Sequence, residues 1–261
     1  MADTILCYML SDENDDEDDA ASASFERSWI SLFAENPRLL EKLICVQLIG
    51  GGRSRDRILS AKQRVSELLA SLATRLEAPV PEVLLLHCRK SIGRALNDGF
   101  LWALACDRAA YWLMWDDAHI CSRPFLASSR RVLESPHRWE HWQLMLTSEW
   151  VDQLPEIRKI ECDGYRYILP RCRYSSDNDE FLDHACPLSW PGFTLTPSWQ
   201  RLVCLRKAIS EESLPLRPFS EHTFTKWDEL QRNFGEMWEK AGAVNAQLLP
   251  SPAFYSPPSM P

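Results

Sequence analysis

The chain has 261 residues, 45% hydrophobic and 25% charged, with 29 basic against 37 acidic side chains and a formal charge of −8. That composition suits a globular protein long enough to bury a full core, and it excludes collagen-like repeats and coiled coils. The acidic balance argues against binding a phosphate backbone as the main activity, because that needs a concentrated basic face.

Thr4 to Leu10 reads as a short β run. It leads into Asp12-Glu13-Asn14-Asp15-Asp16-Glu17-Asp18-Asp19, seven acids in eight residues, which leaves the rest of the chain close to neutral. Ser24 is expected to cap a helix in which Phe25, Trp29, Leu32 and Phe33 recur at helical spacing. The apolar run Leu43 to Ile49 is a strand closed by Gly50-Gly51-Gly52, a permissive turn. Ser54-Arg55-Asp56-Arg57 opens a long amphipathic helix that Pro79 and Pro81 stop. Val83 to Leu86 is the next strand, Ile92 to Cys106 the next helix, and Tyr111 to Trp115 a fourth strand ending at Asp116-Asp117. Beyond it, Trp142 to Leu146 and Tyr165 to Leu169 read as strands. Pro124 to Glu134, Ser198 to Ile209 and Thr225 to Ala241 read as helices, and Pro250 to Pro261 as a surface strap or frayed tail.

Apolar strands alternating with amphipathic helices indicate an α/β fold with a parallel sheet covered on both faces. Ligands bind such sheets outside the carboxyl ends of the strands. That rule singles out the loop after Leu10, the Gly50-to-Asp56 turn, His87 to Gly93, and Asp116-Asp117.

The compartment is read from absences. The first ten residues have no basic region before a long apolar stretch, and no 18-residue apolar run occurs. The nine cysteines are scattered without a C-x-x-C pair, which suits reduced, buried thiols. A cytoplasmic protein is expected, with no transmembrane segment; a fragment of a Golgi-lumen protein would look the same.

Asp116-Asp117-Ala118-His119 offers adjacent carboxylates at a strand end, a hard oxygen-rich site that suits Mg²⁺ or Mn²⁺ together with substrate phosphates. His119 is a further ligand or points into the pocket. The competing reading is a pair of aspartates capping the helix that follows. In His87 to Gly99, Arg89, Lys90 and Arg94 put positive charge at a helix start, which favours a phosphate; a solvated basic loop is the plain alternative.

Together these stretches resemble the nucleotide-sugar-dependent glycosyltransferases of the GT-A fold, closest to the family 2 type. Ser91-Ile92-Gly93-Arg94-Ala95-Leu96-Asn97-Asp98-Gly99 is similar to that family's "N-x-G-x-x-x-A-x-N-x-G" helix, and Leu113-Met114-Trp115-Asp116-Asp117 to its strand closing in a DxD-like metal motif. Gly51-Gly52-Arg53-Ser54-Arg55-Asp56 resembles its "D-D-G-S-x-D" loop, with Gly50 and Gly51 in place of the first acid. Ser189 to Ser198 is similar to its "S-x-N-P-x-L" acceptor-side segment, and Phe219 to Gly242 to its late helix and strand. Phe254-Tyr255-Ser256 occupies the neighbourhood of the family's late metal-binding histidine.

The resemblance implies a GT-A fold with a mainly parallel central sheet flanked by helices. It implies one domain over residues 1–250, with a nucleotide-binding half (1–120), an acceptor half (121–250) and a Pro-rich tail (251–261). The implied activity is transfer of a sugar from a UDP- or GDP-sugar to a glycan or other hydroxyl acceptor, with no nucleic acid as partner. Leu10 to Asp12 and Asp56 would approach the base and ribose, and Arg94 and Asn97 the nucleotide pocket. Asp117 with Asp116 would hold Mn²⁺ or Mg²⁺. Glu221, ahead of Asp179 and Glu180, would take the acceptor proton, although a carboxylate at a helix start has a plain structural explanation. Trp190 could floor the acceptor site, while most of the eleven tryptophans are expected in the core. The other readings are a catalytically silent GT-A-like interaction domain and, last, a nucleotidyltransferase, whose Gly-rich basic signature near the first strand is here replaced by acids.

Overall fold

The computed structural model describes residues 2–10, 18–51, 55–88, 91–134, 141–147, 159–168, 197–221 and 243–256, with Leu230, Met237, Trp238 and Ala241 between the last two stretches. The elements run β1 (Thr4–Met9), α1 (Asp18–Glu35), a 3₁₀ turn (Pro37–Lys42), β2 (Leu43–Gly51), α2 (Arg55–Leu76), β3 (Glu82–Cys88), α3 (Ile92–Ala105) and β4 (Tyr111–Asp116). Then follow β5 (His119–Cys121), α4 (Leu126–Glu134), β6 (His141–Met145), β7 (Lys159–Cys162), β8 (Tyr165–Ile168), β9 (Ser198–Arg201), α5 (Leu202–Ser210), β10 (Val244–Leu248) and β11 (Ala253–Tyr255).

Nine strands form one sheet in the order β3-β2-β1-β4-β9-β6-β10-β8-β7. The first four are parallel, as the β/α alternation predicts. Beyond β4 the sheet is mixed: β9 lies antiparallel to both β4 and β6, β10 is parallel to β6, and β8 is antiparallel to β10 and β7. The central sheet is therefore mixed rather than mainly parallel. The connection explains part of this, because β7 and β8 are joined by a tight hairpin at Gly164, whose φ of 79° is the left-handed region glycine favours.

Strand alternation splits the core in two. Leu6 and Tyr8 of β1 and Leu113 and Trp115 of β4 face α1 and α2 with Phe25, Trp29, Phe33 and Leu69. Ile5, Cys7 and Met9 with Trp112 and Met114 face α3 and α5. Tyr8 meets Phe25 and Trp29 edge-on at 5.5 and 5.0 Å between centroids, joining β1 to α1, while Trp29 stacks on Phe25 and tilts against Phe33 within the helix. Each of these side chains contributes about 1.5–3 kcal/mol by leaving water. The tryptophans follow the core expectation at Trp29, Trp112, Trp115, Trp199 and Trp238, which are all buried. Trp190 lies outside the described residues.

Three sequence readings change. Ser24 is not a helix cap, because α1 already starts at Asp18, within the acidic run. Ser198 to Arg201 is a strand and only Leu202–Ser210 is helical. Four residues are too few for a strand period to declare itself beside a helix. Of the tail, Ala253–Tyr255 pairs antiparallel with β5. For Thr225 to Ala241, Leu230, Met237 and Trp238 are helical and most of the rest lies outside the described residues. Among the described residues, no helix is long and apolar enough to cross a membrane.

The chain leaves β1 toward β2 and β3 on one side and returns to β4 on the other, so the sheet reverses its order between β1 and β4. In open α/β sheets that reversal opens a crevice at the strand carboxyl ends, where ligands bind. Met9 stands opposite Asp116 at that end.

Candidate functional site

Asp116 ends β4, and the chain turns at once through Asp117 and Ala118 into β5. The Asp116 side chain closes that turn on itself: its Oδ1 accepts the Ala118 amide at 2.9 Å, the local bond that makes aspartate a turn former. The same oxygen lies 2.7 Å from His119 Nδ1. An ionised carboxylate only accepts, so Nδ1 carries the proton and the imidazole donates. Asp116 stays 17% exposed while the His119 side chain is 5% exposed. Asp117, expected to lead the metal site, is 2% exposed.

Helix α1 holds the turn from behind. Ser24 Oγ donates to the Asp117 carbonyl at 2.9 Å and Ser28 Oγ to the Asp116 carbonyl at 2.7 Å. Ser28 Oγ also accepts the Trp115 indole N–H at 3.1 Å, and Ser31 Oγ accepts the Cys121 amide at 2.9 Å. Ser24, Ser28 and Ser31 sit at i, i+4 and i+7, one face of a helix. Tyr8, on β1, is the other neighbour. Burial pushes its phenol well above the usual tyrosine range and the Asp117 carboxylate adds to that, so it remains neutral. On the far side β11 brings Tyr255, half-exposed, to 5.8 Å from the His119 ring, edge-on.

The second cluster is built on α3, which Ser91 caps by accepting the Arg94 amide at 3.3 Å. Its Gly-x-x-x-Asn-x-Gly motif has a packing explanation. A Cβ on Gly93 would lie 1.8 Å from the Ser220 carbonyl oxygen, so only glycine lets the 219–221 segment approach. Asn97, fully buried, then binds that segment: Nδ2 donates to the Phe219 carbonyl at 2.8 Å and to Glu221 Oε1 at 2.9 Å, while Oδ1 accepts the Phe219 amide at 3.0 Å. Gly99 abuts Gln47, whose amide donates to the Gly99 carbonyl at 3.0 Å and accepts the Trp112 indole at the same distance. Glu221 is exposed and also accepts Arg217 Nη1 at 2.7 Å. The Arg217 bond, then the Asn97 bond, hold its carboxyl below the usual range, and exposed Arg94 adds to the effect.

The structure thus brings Asp116, Asp117 and His119 together in one turn, and Arg94 and Asn97 of α3 together with Glu221 of the 219–221 segment. Asp56 lies in the first turn of α2, with its side chain outside the described residues, as are Asp12, Asp179 and Glu180. Sequence reading missed the three α1 serines, Tyr8, Arg217 and the β11 pairing. The serines carried a signal in their helical spacing; Arg217 and β11 carried none.

Among the described residues, no three His, Cys, Asp or Glu side chains form a ready metal cage. Mg²⁺ and Mn²⁺ do not need one, since one or two carboxylates plus substrate phosphates and water suffice. Asp116, oriented through one oxygen and partly exposed at a strand carboxyl end, fits that arrangement.

No known protein family matches the chain, and no curated protein matches it in sequence. Among solved structures it is similar to a UDP-glucose pyrophosphorylase complexed with UDP-glucose, at a TM-score of 0.50 and 12% identity over 95% of this chain and 90% of that one. It is also similar to the UTP-bound UGPase from Acinetobacter baumannii (TM-score 0.46, 9% identity, 98% of this chain and 88% of that one). A third is the 4-diphosphocytidyl-2C-methyl-D-erythritol synthase from Anaerococcus prevotii (0.43, 10%, 96% and 91%). The first likeness shows the fold: a nucleotide-diphospho-sugar transferase-like α/β fold.

Proposed function

We propose that the chain is a nucleotide-sugar-dependent glycosyltransferase that moves a sugar from a UDP- or GDP-sugar to a hydroxyl acceptor. The observation that carries this reading is the placement of Asp116-Asp117 at the carboxyl end of β4, beside β1, where the sheet reverses its order. Asp116, with Asp117 beside it, would hold Mn²⁺ or Mg²⁺ against the donor diphosphate. Bound there, a divalent cation supplies charge stabilisation to the leaving diphosphate. His119 orients the Asp116 carboxylate through Nδ1. Asp12 after β1 and Asp56 at the start of α2 would approach the base and ribose.

Glu221 is the group we assign to the acceptor. The acceptor oxygen attacks the anomeric carbon, the bond from that carbon to the diphosphate oxygen breaks, and the hydroxyl proton passes to the Glu221 carboxylate. Glu221 is ionised at neutral pH, as an ordinary carboxylate is, and can accept a hydrogen bond from the acceptor; Arg217 lowers its carboxyl further, so it takes the proton late, as the new bond forms. Arg94 would meet a phosphate near the same helix start. Asn97 is already engaged and serves by holding Glu221.

Nucleotidyl transfer is the second reading, drawn from the likeness to UDP-glucose pyrophosphorylase. Two assays separate the two. Calorimetry with UDP and GDP in the presence of Mn²⁺ should show binding that Asp116→Asn weakens about a hundredfold. Incubation with UDP- and GDP-sugars should release the nucleoside diphosphate. Formation of UTP from UDP-glucose and pyrophosphate would move the assignment to nucleotidyl transfer. Binding of no nucleotide would leave a silent interaction domain.

A further inference from the structure

We propose that Ser24 and Ser28 of α1 are positioning residues for the Asp116–Asp117 turn, so that α1 is part of the site although it contributes no charged group to it. The inference rests on the reading of that turn as the donor site. Adjacent carboxylates at one strand end repel each other, and a turn that carries them needs its backbone fixed if one carboxylate is to face a ligand.

The fixing is visible as a set of hydrogen bonds on one helical stripe. Ser24 holds the Asp117 carbonyl and Ser28 the Asp116 carbonyl, at 2.9 and 2.7 Å. Ser28 is also the acceptor for the indole of Trp115, the residue just before the carboxylates, and Ser31 the acceptor for Cys121 just after them. Every one of these bonds is to the backbone or to a flanking side chain; none of them uses a carboxylate oxygen. The Asp116 carboxylate is oriented separately, by the Ala118 amide and His119. The serines therefore set where the turn stands, and leave its negative charge for a ligand. Ser28 is fully buried and Ser24 is 5% exposed, so water does not replace a lost hydroxyl without rearrangement.

Ser28→Ala and Ser24→Ala test this directly, with Ser129→Ala as control. Ser129, on α4, is a buried serine whose hydroxyl has no hydrogen-bond partner among the described residues. Hydrogen exchange on the ligand-free chain should speed up over residues 115–121 in both α1 variants, with other segments unchanged and the control like wild type. Calorimetry with Mn²⁺ and UDP or GDP should show affinity weakened about tenfold by Ser28→Ala. The conservative Ser24→Thr, which keeps the hydroxyl, should restore what Ser24→Ala loses. Unchanged exchange over 115–121 in folded variants overturns the proposal, as does wild-type affinity in Ser28→Ala. Should the wild-type chain bind neither nucleotide, the donor-site reading fails, and the exchange data still decide whether the serines set the turn.

Discussion

Asp3, just before β1, and Asp116, which closes β4, put a carboxylate at each end of this central strand pair, and the two ends treat them in opposite ways. At the amino end, Asp3 faces Arg130 of α4 in a two-pronged ion pair, one prong at 2.7 Å, and Arg130 also donates to Thr4 Oγ1 at 3.1 Å. The guanidinium lies 4.5 Å over the Tyr111 ring and 5.7 Å from that of Trp199. Burial would raise the Asp3 carboxyl, but Arg130, helped by Thr4 and Lys42, outweighs burial and holds it below the usual range. At the carboxyl end, Asp116 meets an amide and an imidazole, and its turn is held by hydroxyls. One end matches charge with charge and is finished; the other is ordered by dipoles and keeps its charge for something else. The proposed function assigns stability to the first end and binding to the second.

The largest expected effect tests that division at its open end. Asp116→Asn should keep the fold, with a urea midpoint close to wild type, while transfer or nucleotide affinity falls about a hundredfold, since a bound cation supplies several kcal/mol to a developing diphosphate. Equal loss of stability and binding would merge the two ends into one structural role. Arg130→Ala should do the reverse. It leaves Asp3 partly buried without its cation and is expected to lower unfolding free energy by about 2–3 kcal/mol in urea denaturation, less than for a fully buried pair because Asp3 is part-exposed, with nucleotide affinity retained. Gly93→Ala should cost about 2 kcal/mol, since the Ser220 carbonyl must move, and it should displace Glu221 as well.

Acid sharpens the contrast. Because the Asp3 carboxyl is lowered in the folded chain, its contribution is present above the unfolded aspartate pKa of about 3.9 and is lost as pH falls through the lower folded value. Urea midpoints taken between pH 7 and pH 3 should therefore drop further for wild type than for Arg130→Ala. The smallest effect is expected from Arg217→Ala. Its pair with Glu221 is half-exposed and screened by water, so the urea midpoint should stay at the wild-type value. The pH at which Glu221 gains its proton should move up toward the ordinary carboxylate range, which a pH–rate profile would report.

Much of the first half was legible in the sequence, because its strands are continuous apolar runs and its helices carry a clear apolar stripe. β2, α2, β3, α3 and β4 lie within a few residues of where that pattern puts them. The second half was less so. β9 is a four-residue strand whose Trp199 faces one core while Ser198 and Gln200 share a buried polar contact with Gln143 on the other face, and so short a run has no distinguishable period. β5 and β11 are three residues each and exist only because they pair with one another. At the site, adjacent aspartates after an apolar strand announced themselves. Which of them faces solvent did not, because the turn packs against α1, where Ser24 and Ser28, 93 and 88 residues from their partners, hold its two carbonyls.

The alternation of strand and helix through β4, the carboxylates at its end and the Gly93–Asn97–Gly99 motif are written in the residues themselves, because hydrophobic period and turn chemistry are local properties. Packing between remote segments sets the rest: the sheet becomes mixed beyond β4, Asn97 anchors Glu221, and Asp116 rather than Asp117 is the partly exposed carboxylate. Each of those depends on a partner remote in the chain. Hydrogen bonds and close backbone approaches across such separations are set by how the layers pack, which no local pattern records.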